Sequence, residues 1–254
     1  MKALSLVLSS SVAASLIALG ACSSNNDGNG VTQAEYDDVA QQVGNSAAPS
    51  GGGGDVGAMI DLVVIAKGDL PLGFTAGANG TISGAHGGLT YSYTLTCKDA
   101  QGNTLAACNS STDSAMASLM WSGTLALPGF SASLSRSGNW SIIGLQTAKA
   151  QFDGSGTFTA TTSITNAANV TTAYHFDYSG DYHAVMIDTA TQQADAGTIT
   201  YQIDANKDVN GSDVQSFSIA ADITINSDGT ASIVLDGSHD YTENLSTGVV
   251  VSAN

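Results

Sequence analysis

The chain has 254 residues, enough for one domain with a buried core, and carries 22 Asp+Glu against 6 Lys+Arg for a net charge of −16. A field of that sign repels nucleic acid and anionic lipid heads, which excludes a nucleic-acid partner, and it attracts divalent cations to the acidic surface. Charged residues are only 11% of the chain and Glu occurs only at Glu35 and Glu243, so the surface is built mainly of Ser, Thr, Asn, Gly and Asp, the residues of strand faces and turns.

At the amino terminus, Lys2 is followed by an apolar run from Ala3 to Leu19 broken only by serines, then by Gly20, Ala21 and Cys22. The run sits at the short edge of the roughly 20 residues a spanning helix needs, and it ends in small residues as a removable export signal does. Leu19-Gly20-Ala21-Cys22 sets a branched apolar residue and two small residues before a cysteine. In this the N-terminus resembles the bacterial lipoprotein family, over the first two dozen residues only. The resemblance implies cleavage before Cys22, a thioether-linked diacylglycerol on Cys22 and a fatty-acylated new amino terminus, so that the partner is a membrane held through a lipid anchor. In that family an aspartate after the cysteine marks inner-membrane retention. Ser23 and Ser24 stand there instead, which implies a cell-envelope address at the outer membrane. Removal of the signal takes Lys2 and no acid, leaving 5 Lys+Arg against 22 Asp+Glu, a net of −17.

The chain then divides into residues 1–21 as signal, 22–31 as lipidated cysteine and polar tether, 32–67 as a helical segment with a Gly-rich linker at 44–54, and 68–254 as an antiparallel β domain. Thr32 and Glu35 form a capping box, Tyr36, Val39 and Val43 an apolar stripe, and Gly44 is placed to end this first helix. From Asp55 to Lys67 the sequence is apolar nearly all round, with Asp55 as N-cap and Gly68 as stop, and reads as a second helix. A helix that apolar is buried on several sides, so Met59, Leu62 and Val63 are expected to fill the space over the sheet.

From Ala78 onward, Gly, Asn, Asp and Ser turns recur between alternating stretches. Tyr91, Tyr93 and Leu95 share one face, as do Val170, Thr172, Tyr174, Phe176 and Tyr178, then Ile199, Tyr201 and Ile203, then Phe217, Ile219, Ala221, Ile223 and Ile225, and after the turn at Asn226–Gly229, Ala231, Ile233 and Leu235. The fold class is mainly β: a long antiparallel meander of about 10–12 strands, a curved sheet or open barrel, with two N-terminal helices packed on it. A transmembrane barrel also alternates, but these strands lack aromatic girdles and the sequence closes on Ser252-Ala253-Asn254 rather than on an aromatic residue.

With Cys22 assigned to lipid, Cys97 and Cys108 remain. Export places them in an oxidising compartment, and a hairpin about Gly102-Asn103 sets Cys97 opposite Cys108, so a disulfide is expected. His-Phe-Asp-Tyr-Ser-Gly-Asp-Tyr-His, His175 to His183, reads as a hairpin about Ser179-Gly180. A three-residue loop would gather two histidines, Asp177 and Asp181 as Zn²⁺ or Cu²⁺ requires. The two-residue turn, favoured by hydrophobic matching, sends the histidines to opposite faces. Asp204, Asn206 and Asp208 are spaced like the oxygen ligands of a calcium loop, but Val209 and Gln215 stand where that loop needs Gly and Glu, so an acidic hairpin turn is expected and no metal.

The sequence has no G-x-S-x-G elbow, phosphate loop or dinucleotide fingerprint, and none of His86, His175, His183 and His239 lies in a triad-like motif. Asp236-Gly-Ser-His239-Asp240 reads as a turn, and Trp121 and Trp140 as core. No catalytic residue and no cofactor is expected. The function expected is that of a membrane-anchored exported lipoprotein with a non-enzymatic structural, surface or binding role. The first alternative is a carrier or binder of lipid or another hydrophobic ligand, and the second a metal-dependent hydrolase.

Overall fold

The computed structural model describes residues 30–48, 54–78, 80–86, 88–127, 130–165 and 169–253. The signal segment, Cys22 and most of the tether lie outside them. Helix α1, Gln33–Ala47, begins at the expected capping box: the Glu35 N–H donates to Thr32 Oγ1 at 3.3 Å and the Thr32 N–H to Glu35 Oε2 at 2.8 Å. It does not end at Gly44. It runs three residues further, because that glycine is a point of contact with the sheet: a Cβ there would lie 2.4 Å from Val250 Cγ2. Helix α2, Asp55–Ala66, ends one residue before the expected Lys67, and Gly68 takes φ +94° with its N–H on the Ile65 carbonyl. Its N-cap is Gly54 rather than Asp55. The backbone of Gly54 passes so close to Ala48 that a Cβ would fall 1.8 Å from the Ala48 carbonyl oxygen.

The β domain is the expected antiparallel meander. Its strands are β1 Phe74–Ala76, β2 Thr81–His86, β3 Leu89–Lys98, β4 Ser114–Leu127, β5 Phe130–Ile143, β6 Lys149–Thr165, β7 Thr171–Asp188, β8 Ala194–Val209, β9 Ser212–Ile225, β10 Thr230–Leu235, β11 His239–Asn244 and β12 Val249–Ser252. Each pairs with the next, giving one open 12-stranded sheet in sequence order. The expected faces hold: Tyr91, Tyr93 and Leu95, then Ile199, Tyr201 and Ile203, then Ile219, Ile223 and Ile225 all point to the helix-covered inner face and are buried. The outer face is mainly solvated Ser, Thr, Asn and Asp, with Met116 and Met120 of β4 and Val214 of β9 exposed among them. Helix α1 lies against β10, β11 and β12, and α2 against β3. Met59, Leu62 and Val63 are buried to 1% exposure or less, as expected. No described helix is long and apolar enough to cross a membrane.

One expected turn is absent. His175 to His183 is not a hairpin but the middle of β7, an 18-residue strand in which Phe176, Tyr178, Gly180 and Tyr182 face inward and His175, Asp177, Ser179, Asp181 and His183 outward. Both histidines are therefore on one face, but eight residues apart, about 26 Å at strand rise, so neither register weighed for a metal site exists.

Candidate functional site

Gly138, Gly156 and Gly180 are register partners on β5, β6 and β7 and form a row on the inner face without side chains. The space is used from the side. The Tyr201 ring, register partner of Gly180, would stand 2.7 Å from a Cβ at that position, and Tyr182 reaches back so that its hydroxyl lies 3.4 Å from the same point. Both hydroxyls converge on Asp55, the first residue of α2, and each donates to Oδ2 at 2.5 Å. Arg136, inward-facing on β5, completes the node with an ion pair to the same oxygen and a hydrogen bond to the Tyr182 hydroxyl. The Asp55 and Arg136 side chains are 0% and 2% exposed.

Burial raises the Asp55 carboxyl above its ordinary value, while Arg136 and the hydroxyls of Tyr182 and Tyr201 pull it down. Burial alone would lower Arg136, but the Asp55 carboxylate and the two tyrosines outweigh it and hold the guanidinium charged. Burial raises Tyr182 and Tyr201 well above the usual phenol range, so both are protonated donors.

A second row adjoins the glycines. Tyr91, Trp121, Arg136, Phe158, Tyr178, Ile203 and Ile219 are successive register partners from β3 to β9. The Trp121–Phe158 and Phe158–Tyr178 ring centroids are 5.6 and 5.2 Å apart, and the Arg136 guanidinium lies 5.7 Å from the Phe158 centroid. The polar atoms of this row are incompletely used. Tyr91 and Tyr178 hydroxyls, Trp121 Nε1, Arg136 Nε and Nη1, and Asp55 Oδ1 are all buried without a hydrogen-bond partner. Tyr91, Trp121, Arg136 and Tyr178 thus place polar atoms inside an apolar face, with Asp55 Oδ1 of α2 beside Arg136 and Trp140 Nε1, outside the row, likewise without a protein partner. A separate buried acid, Glu243 on β11, lies under α1 at Gly44, 3.3 Å from where a Cβ would be, with both oxygens unpartnered and its carboxyl pushed up to about 8 by burial.

The residues singled out in the sequence fall mostly elsewhere. Cys97 and Cys108 are joined, with their Cα atoms 5.3 Å apart. The hairpin that joins them differs from the expected one: Lys98 pairs with Thr104 and Gly102, at φ +82°, closes a turn on the Asp99 carbonyl, so the chain from Leu105 loops back to bring Cys108 to Cys97. That loop abuts the end of α2, where a Cβ on Gly68 would lie 2.9 Å from Asn109 Cα. Asp204, Asn206 and Asp208 are not in a turn. They alternate along β8, with Asp204 and Asn206 accepting from Ser218 and Ser216 across the strand pair, and the turn comes after them at Asn210-Gly211. Strand extension spaces the three too widely to close on one cation, and among the described residues no three His, Cys, Asp or Glu side chains gather as metal ligands. His239 opens β11 and stacks on Tyr36 at 3.7 Å, after a turn at Asp236-Gly237. Trp121 and Trp140 are in the core as expected.

Sequence reasoning missed the Asp55–Arg136 node. The signal was present: Arg136 is the only arginine in the chain, and it falls on the same alternation as Leu134 and Trp140. Comparison with known proteins gives no match: no family model fits the chain, and no curated protein or solved structure matches it.

Proposed function

We propose that this chain is an exported lipoprotein, anchored through Cys22 at the outer membrane, that presents a non-enzymatic domain with a structural, surface or binding role. The observation that carries the reading is the use made of the buried charges. Asp55 Oδ2 takes Arg136 Nη2 and the hydroxyls of Tyr182 and Tyr201, which pins α2 to β5, β7 and β8, and this use of the pair as a tie between helix and sheet supports a structural role. Leu19-Gly20-Ala21-Cys22 supports the anchor, and the polar stretch from Ser23 to Asn29 supports a tether between it and the folded domain, which Val31 joins as a core residue. Cell fractionation tests this reading: Cys22→Ser should move the protein from the membrane pellet to the soluble exported fraction. A variant that still pellets after a high-salt wash is held by something other than lipid.

A second reading, a binder of a hydrophobic ligand, is favoured by the unpartnered donors of the Trp121–Tyr178 row. They sit among aromatic rings, the surroundings in which a mostly apolar molecule with a polar head is held.

A further inference from the structure

We propose that the C-terminal half of α1 is a pH-released latch over β11 and β12, shut while Glu243 carries its proton and let go when Glu243 ionises. The device goes beyond the proposed function and does not rest on it.

The geometry sets the carboxyl directly under the helix. Glu243 faces inward on β11, with Ala231 and Val250 as its register partners, and is 0% exposed with neither oxygen partnered. What covers it is backbone: a Cβ on Gly44 would stand 3.3 Å from Glu243 Cδ and 2.4 Å from Val250 Cγ2. The helix is fastened unevenly along its length. Its first two turns carry polar ties. Gln33 donates to the Tyr241 hydroxyl, Tyr241 to Asp37 and the Tyr36 hydroxyl to Asp236, and Glu35 lies 3.9 Å from Lys207 Nζ. Toward its end it is held by the buried Ala40, Val43 and Ala47 and by a hydrogen bond from Gln41 to the Gly248 carbonyl. That end can lift while the ties of the first turns stay closed.

A neutral carboxyl is tolerated at this place and a carboxylate is opposed. Among the described residues no cation faces it. β10 and β12 carry no ionisable side chain, and β11 adds His239, Asp240 and Tyr241 at its far end. Helix α1 brings Glu35, Tyr36, Asp37 and Asp38 in its first two turns and no Lys or Arg, and α2, which touches α1, brings Asp55 and Asp61, bound to Arg136 and Tyr93. Gly44 also opens the last turn of α1, where the helix presents partial negative charge and has no basic residue to offset it. Burial accordingly pushes the carboxyl up to about 8. Its negative charge is stabilised by water, and water reaches it when the helix end lifts. Lifting uncovers Val43, Ala47 and Val250, an apolar strip at the β12 edge of the open sheet.

The test is native-state hydrogen exchange from pH 5 to pH 9 in low urea, reported as protection factors so that the intrinsic pH dependence is removed, on the wild type and Glu243→Gln. In the wild type, protection of the amides of residues 42–48 should fall about ten-fold per pH unit between pH 5 and pH 8, about a thousand-fold in all, and level off above 8. At pH 8 it should lie well below that of β9 and be insensitive to urea, as a local opening is. In Glu243→Gln it should be independent of pH. A flat wild-type profile would overturn the latch, and that profile decides the matter even if the variant does not fold. So would an equal slope in Glu243→Gln, since another group would then be titrating. Protection at 42–48 that matches β9 in size and in urea dependence would also overturn it, because the helix would then leave only when the whole molecule unfolds.

Discussion

Glu243 is one of two glutamates in the chain and is fully buried, with the missing side chain of Gly44 leaving just enough room for its carboxyl beneath α1. Among the described residues no cation or donor meets it, so burial raises it from 4.5 to about 8, and it is mostly neutral at pH 7. The consequence for stability has a definite sign. Between pH 4.5 and 8 the folded state binds a proton that the unfolded state has released, so the stability contributed by this site is greatest below pH 4.5 and is lost as pH rises through about 8. The loss across the window is on the order of a few kcal/mol. Glu243→Gln cannot ionise. Urea unfolding of wild type and variant at several pH values should therefore show the variant gaining steadily on the wild type between pH 5 and pH 8. A difference that stays constant with pH would mean that Glu243 titrates normally and that α1 does not seal it.

The docking of α2 rests on one carboxylate at its first residue, and the same principle governs what its removal does. Asp55→Ala leaves the Arg136 guanidinium charged in a buried site and should cost about 3–5 kcal/mol, as breaking one side of a buried pair does. Arg136→Met added to Asp55→Ala removes the orphaned charge and should return most of that loss, a non-additivity readable by denaturant titration. Two losses that simply add would mean the pair is not coupled. This node also shows where the sequence was legible and where it was not. Period-two alternation was enough to assign the inner faces of β3, β7, β8, β9 and β10, because one face of the sheet is buried and the other is wet. The capping box at Thr32 was equally local and equally readable. Turns were harder. Ser179-Gly180 carries turn chemistry, yet β7 runs through it, because Gly180 is where the Tyr201 ring crosses the sheet and not where the chain reverses. Asp55 was read by its local role as a cap. Its partners lie 81, 127 and 146 residues away, and that convergence depends on strand registers that no short window contains. The disulfide was read correctly from compartment and spacing through a hairpin that does not form, since Lys98–Thr104 pairing leaves Cys108 in the following loop.

At the scale of the whole molecule, the meander ties each strand only to its neighbours in sequence, so the ladders alone would make a nearly one-dimensional array that opens from its ends. The helices supply the ties that skip strands. Helix α1 reaches β10, β11 and β12, and its Glu35 meets Gln215 on β9 and Lys207 on β8, while α2 touches β3 and, through Asp55, holds β5, β7 and β8 together. Each helix thus clamps one half of the sheet, and the α1–α2 contact joins the clamps. Cooperative unfolding of 12 strands then depends on both helices being docked. Native-state hydrogen exchange gives this a sharp form. In the wild type, amides of α2 should be protected as deeply as those of β9, with the short edge strand β1 exchanging fastest. In Asp55→Ala the sheet should separate into two blocks: α2 and β3–β5 lose protection together, while β8–β11 under α1 keep most of theirs. If the substitution lowers protection equally from β3 to β11, the sheet is cooperative through its own ladders and α2 is cargo on it rather than a clamp.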